Sequence, residues 1–158
     1  SWQDLGSLAA LARRDGSERE VGLALLEVRR MIEVGSAGLA AARITADRLD
    51  AMEAAIAELR RADAADDVDA AAAADLDFHN HIIEAASNPF IGVTFAPLRD
   101  ELVVARRVTS AHHEVRAHAV VQHERILTAL RLGSPDAAEA AMRAHMDQTS
   151  NDLLQYAA

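Results

Sequence analysis

The sequence predicts an all-α protein, an antiparallel bundle of about six to seven helices. Three observations predict it. No run alternates apolar and polar residues with period 2 for long enough to make a strand. The breakers are few, 7 Gly and 3 Pro, and they fall between runs whose apolar residues recur at steps of three and four. Alanine, the best helix former, occurs 36 times. With 158 residues, 51% of them hydrophobic, the chain is long enough for one domain with a real core, read as residues 1–158.

The elements follow in order. A short first helix covers about 4–14 and ends at Asp15-Gly16. A second runs from about Glu18 to Ala42, with Leu25, Leu26, Ile32, Leu39 and Ala40 as its apolar stripe. Thr45 is the N-cap of a third, which reaches about Arg61 and carries Leu49, Met52, Ile56 and Leu59 on one face. The Ala/Asp-rich stretch Ala62–Ala74 reads as a loop at its start and as the first turns of a fourth helix at its end. That helix continues to Ser87, where Asn88-Pro89 breaks it. A fifth runs to about Val108, with an interruption allowed at Pro97. A sixth spans about Ala111 to Leu132. Gly133, Ser134 and Pro135 then supply a C′ residue, an N-cap and an N1 residue for a seventh, which ends near Gln155.

Composition removes several functions. The chain has no cysteine, which excludes a disulfide scaffold, thiolate metal sites and a thiol nucleophile. No apolar run approaches the ~18–20 residues of a membrane span, and no signal-peptide pattern opens the chain. A soluble, cytoplasmic protein is expected. Sixteen basic residues, all Arg, stand against 25 acidic ones, for a net charge of −9. Such a surface repels phosphate backbones, and 3% aromatics make a poor stacking platform for bases. No direct nucleic-acid contact by this chain is expected.

Three of the seven histidines lie on apolar helix faces. His79 shares its face with Ile82, Ile83 and Ala86; His123 with Val120, Leu127 and Leu130; His145 with Ala138, Ala141, Met142 and Leu153. Asp75, four residues before His79, lies one turn away on the same face. A carboxylate facing a core is costly unless paired or bound to a metal. His123 and His145 each lie 11 residues from Ser134, so an antiparallel hairpin sets them at one level. Asp75 and His79 on a third helix complete an Asp-His-His-His set. Imidazoles with one carboxylate suit Zn, Ni, Fe or Cu and, less well, Mn. The competing reading is a set of ordinary core histidines. His81 and His118 have polar neighbours and read as solvated; His113, ten residues before His123, is open to a surface place or to one facing the core behind the site. Arg29 shares a face with Leu25, Leu26 and Ile32; it is either paired with Glu33 at i+4 or a clamp on a ligand carboxylate. Arg99 and Arg106, aligned with Leu102 and Val103, are candidates for the same clamp.

The run Asp75-Leu76-Asp77-Phe78-His79, followed by Glu84-Ala85-Ala86-Ser87-Asn88-Pro89, resembles the signature "D-x-x-F-H … E-A-S-x-N-P". That signature belongs to the C-terminal, FCD-type effector-binding domains of GntR-superfamily bacterial transcription regulators. His123-Glu-Arg-Ile-Leu-Thr-Ala-Leu resembles the family's "E-H-x-x-I-x-x-A-L", and Ala138 to His145 its "A-x-x-x-M-x-x-H". Glu27-Val-Arg29-Arg30-Met-Ile-Glu33 is similar to "E-x-R-x-x-x-E", and the opening Ser-Trp-Gln-Asp-Leu to the segment joining two domains in sugar-acid-responsive members. In metal-containing members the ligands are the Asp and three His of these motifs. Carried over, they are Asp75, His79, His123 and His145, the four that face analysis selects.

The resemblance implies a ligand-sensing domain rather than an enzyme. It implies one divalent transition metal, Zn or Ni before Fe or Mn, at the base of an internal pocket. A small carboxylate, a hydroxy acid or sugar acid, would chelate the metal, with Arg29, Arg99 and Arg106 as effector-binding residues. It also implies a homodimer that touches DNA through an N-terminal winged helix-turn-helix domain, for which this chain shows no counterpart. Two rivals are kept. A metal-dependent hydrolase or oxygenase on the same ligands needs a general base, for which Glu84 and His113 are the candidates. A metal-free dimerisation bundle predicts no response to chelators.

Overall fold

The computed structural model describes residues 4–158, and among these every regular element is a helix. The elements are α1 (Leu5–Asp15), α2 (Glu18–Arg43), α3 (Ala46–Ala64), α4 (Val68–Ala85), α5 (Pro89–Phe95), α6 (Leu98–Thr109), α7 (His113–Leu132) and α8 (Pro135–Tyr156). Part of the opening Ser-Trp-Gln-Asp-Leu segment lies outside the described residues.

Local chemistry starts and stops these helices. Ser17 and Glu20 form a reciprocal capping box at the head of α2. The Thr45 hydroxyl accepts from the Arg48 N–H, and the Asn88 side chain accepts from the Phe90 N–H ahead of Pro89. Gly133 closes α7 in the left-handed region (φ 67°), and Ser134 caps α8 one residue later.

Among the described residues the count is eight helices rather than six or seven, because the predicted fifth is two. Proline lacks an N–H, and the chain turns at Ala96–Pro97 before α6 begins. The predicted loop after Arg61 is also shorter. Alanine propensity carries α3 to Ala64, and the break is confined to residues 65–67, with Asp66 left-handed (φ 52°) and Asp67 capping α4. Leu39 is 36% exposed; Ala37, Ala40 and Ala41 take its place in the core.

α2 packs along α8 and against α4, while α3 packs on α4 and α7. α7 and α8 form the predicted hairpin. The main core joins α2, α3, α4, α7 and α8 through Leu26, Met52, Phe78, Ile126, Leu130 and Met142. A second apolar cluster, with Phe95, Leu98 and Leu102, seats α5 and α6 against α4. The inner faces of α2, α4, α6, α7 and α8 meet in one buried polar region.

Candidate metal centre

Each helix brings one or two polar groups to that region. α4 supplies Asp75 and His79, one turn apart; α7 supplies His123 and α8 His145. The ring centroids of the three histidines are 5.0–5.1 Å apart in every pairing. Their donor atoms lie within 4.8 Å of one another, so the three imidazoles form a cluster able to hold a metal ion. The rings are clamped by their surroundings. His123 lies flat on Phe78 with centroids 4.1 Å apart, and His79 and His123 are fully buried.

Asp75 flanks the cluster. Its Oδ1 lies 3.3 Å from His79 Nε2, 3.4 Å from His123 Nε2 and 3.3 Å from Arg106 Nε, but none of these contacts has hydrogen-bond alignment. His79 Nε2 is 3.1 Å from His145 Nε2. These spacings have a simple reading. Ligand atoms about 2.1 Å from one metal sit roughly 3.0 Å apart at octahedral angles and roughly 3.4 Å apart at tetrahedral ones. Both nitrogens of His123, Nδ1 of His145 and Oδ1 of Asp75 are buried without a partner among the described residues. Such groups are costly unless something binds them. The donor set and its spacing fit a divalent transition metal.

Sequence reasoning missed one member. Glu33, treated as a partner for Arg29, is fully buried and does two things. Its Oε2 accepts from Arg29 Nε at 2.7 Å, and its Oε1 meets His79 Nδ1. A carboxylate on Nδ1 fixes the tautomer and leaves Nε2 free to ligate. The i,i+4 spacing to Arg29 was visible in the sequence; the contact with His79, 46 residues away, was not.

Burial opposes charge on both carboxylates, but the guanidiniums reverse it. Arg106, with His123 and His79, holds the Asp75 carboxyl well below the usual range. Arg29 and His79 do the same for Glu33. Burial pushes His123 down to about 4 and, with the neighbouring imidazoles, pushes His145 well below its ordinary value. These two rings are therefore neutral at pH 7, the form that ligates metals.

A cavity adjoins the cluster. Arg29, Asp75, Arg106 and His145 line it, with Gln148 and Asp152 further along α8. Both arginines are at least nine-tenths buried, and both terminal nitrogens of Arg106 lack a partner among the described residues. Arg99 does not reach the cavity. It lies two turns before Arg106, roughly 10.5 Å along α6, where it borders a separate cleft and its Nε donates to Asn80 Oδ1. His113 takes the surface place of its two readings: it is exposed and sits 2.8 Å from Asp63 rather than facing the core. Glu84 is exposed and bound to Arg48, so neither candidate base lies in the cavity. His81 is half-buried beside Arg48. His118 is also half-buried, its Nδ1 2.9 Å from the buried Asp152.

The FCD domain family model matches residues 24–148. The chain is 31% identical over 137 residues to the HTH-type transcriptional regulator LutR of Bacillus subtilis, across 84% of this chain and 62% of that protein. It is 33% identical over 78 residues to the HTH-type transcriptional repressor NanR of Escherichia coli, across 48% of this chain and 30% of that protein. Among solved structures, Streptococcus agalactiae GntR superposes with a TM-score of 0.68 at 24% identity, over 82% of this chain and 58% of that one, a likeness of fold. The chain spans less than two thirds of the length of each. Matched over most of its length by that model, the chain belongs to the FCD domain family.

Proposed function

We propose that this chain is the effector-sensing domain of a transcription regulator, and that it binds a small carboxylate at a metal-containing cavity. The observation that carries the reading is the juxtaposition of three clustered imidazoles, those of His123 and His145 under-bonded, and Asp75 with the buried guanidiniums of Arg29 and Arg106. Asp75, His79, His123 and His145 would hold one divalent metal, Zn or Ni before Fe or Mn. Bound there, the metal supplies a Lewis-acid anchor for an anion. Glu33 orients His79, and Arg106 is shared between Asp75 and the incoming carboxylate, since its terminal nitrogens have no other acceptor among the described residues. The effector then acts on DNA binding only if it favours one arrangement of the whole regulator over another. A cytoplasmic homodimer, with residues 1–158 as a single sensing and dimerisation unit, is part of the same reading.

Elemental analysis of the untagged, desalted protein tests it first. Near one transition metal per chain, and calorimetric binding of hydroxy acids without turnover, are the expected results. No metal after incubation with zinc or nickel would overturn the site, and turnover of the acid would favour the metalloenzyme.

A further inference from the structure

The cavity has two unlike ends. At one are His145 of the imidazole cluster, Asp75, Arg29 and Arg106. Asp152 marks the other, seven residues past His145 and so roughly 10.5 Å along α8. Asp152 is a carboxylate with only 5% of its surface exposed, and it lines the cavity. Its Oδ1 accepts from His118 Nδ1 at 2.9 Å and from Gln148 Nε2 at 3.1 Å. Among the described residues, Oδ2 takes no hydrogen bond. A tie between α7 and α8 needs only Oδ1. The second oxygen needs a donor, solvent in the free protein and ligand in the complex, because a buried carboxylate is costly to leave unpaired.

Charge sharpens the choice of ligand. Arg29 and Arg106 against Glu33, Asp75 and Asp152 leave one net negative charge around the cavity, which a divalent metal turns into one net positive. One ligand carboxylate closes that balance. A second would overshoot it and meet Asp152 with like charge. The roughly 10.5 Å between His145 and Asp152 along α8, less metal–ligand bonds at one end and a hydrogen bond at the other, suits an extended acid of about four carbons.

The geometry points to Asp152 as a specificity-determining residue that accepts a hydroxyl at the far end of a short monocarboxylate and rejects dicarboxylates. This rests on the proposed carboxylate site. Calorimetric titration of the zinc-loaded chain with three matched acids tests it: 2,4-dihydroxybutanoate, 2-hydroxybutanoate and 2-hydroxybutanedioate. They share the chelating end and differ only in a terminal hydroxyl, methyl or carboxylate. A charged acceptor is expected to favour the dihydroxy acid by roughly ten-fold or more over the methyl acid, with the dicarboxylate weakest. Asp152→Asn, checked for normal zinc content and melting, is expected to shrink the hydroxyl preference several-fold and to tighten dicarboxylate binding. Equal binding of the three acids by the unaltered chain would overturn the inference while leaving the carboxylate site standing. So would an unchanged ranking in the variant. Binding of none of them would remove the carboxylate site and this inference together. The ranking in the unaltered chain decides the matter even if the variant fails to fold.

Discussion

At the scale of single residues, His123 shows what burial does. Its imidazole stacks on Phe78, has no partner for either nitrogen among the described residues, and is pushed by burial down to about 4 from 6.5. In the metal-free chain, the unfolded state takes up a proton below pH 6.5 that the folded state refuses down to about 4. Stability is therefore complete above 6.5 and lost as pH falls towards 4, by up to about 3 kcal/mol from this group. His145, also pushed down, adds loss in the same direction, and Asp75 adds its own only once pH falls below its unfolded value of 3.8. Urea denaturation of the metal-free chain at pH 7.5, 6 and 5 measures this, and equal midpoints at all three would contradict it. Replacing His123 or His145 with Ala is expected to remove most bound metal and to lower Tm of the as-purified protein. Normal metal content in both variants would refute the ligand assignment. Glu33→Gln keeps the shape but weakens the acceptor for His79 Nδ1–H and leaves Arg29 without its counter-charge; metal affinity is expected to fall roughly 10–100-fold, as measured by competition with a chelator.

At the scale of elements, the α7–α8 hairpin is set by three consecutive residues, Gly133, Ser134 and Pro135. Gly133 stands in the left-handed region, where a Cβ is disfavoured, and Ser134 and Pro135 start α8 at once. This turn sets the register that brings His123 level with His145, and their centroids are 5.0 Å apart. Gly133→Ala is expected to lower stability by about 1 kcal/mol, or about 2–4 °C in Tm for a chain of this size. A melting curve that does not move would mean that the turn relaxes freely. Helix existence was legible throughout, because caps and breakers are local. Helix count was not fully legible. Pro97 is tolerated in the first turn of a helix and breaks one elsewhere, and packing of Phe95 and Leu98 on α4 decided the case.

At the scale of the whole molecule, the buried charges define how the bundle is held. Arg29, Glu33, Asp75 and Arg106 come from three helices and neutralise one another in the interior. Buried pairs contribute little net stability when complete, but removing one partner is costly. Arg106→Ala is thus expected to destabilise the fold by roughly 3–5 kcal/mol, read as a lower urea midpoint, and a neutral effect would show that water reaches Asp75. Metal removal acts on the same scale, because a ligand that binds only the folded state stabilises it by mass action. A chelator is expected to lower Tm and added zinc to restore it.

The sequence by itself determined the fold class, the helix order and the inward direction of Asp75, His79, His123 and His145. Each depends on periodicity or a cap within one turn or one hairpin. Only the tertiary structure decided which distant groups meet. Glu33 reaches His79 across 46 residues, Arg106 joins the cavity while Arg99 on the same stripe does not, and Asp152 is buried beside His118. A helical period tells which way a side chain points. Which neighbour it meets depends on the axial offset and rotation of the packed helices, and these are set by the collective fit of side chains from all of them.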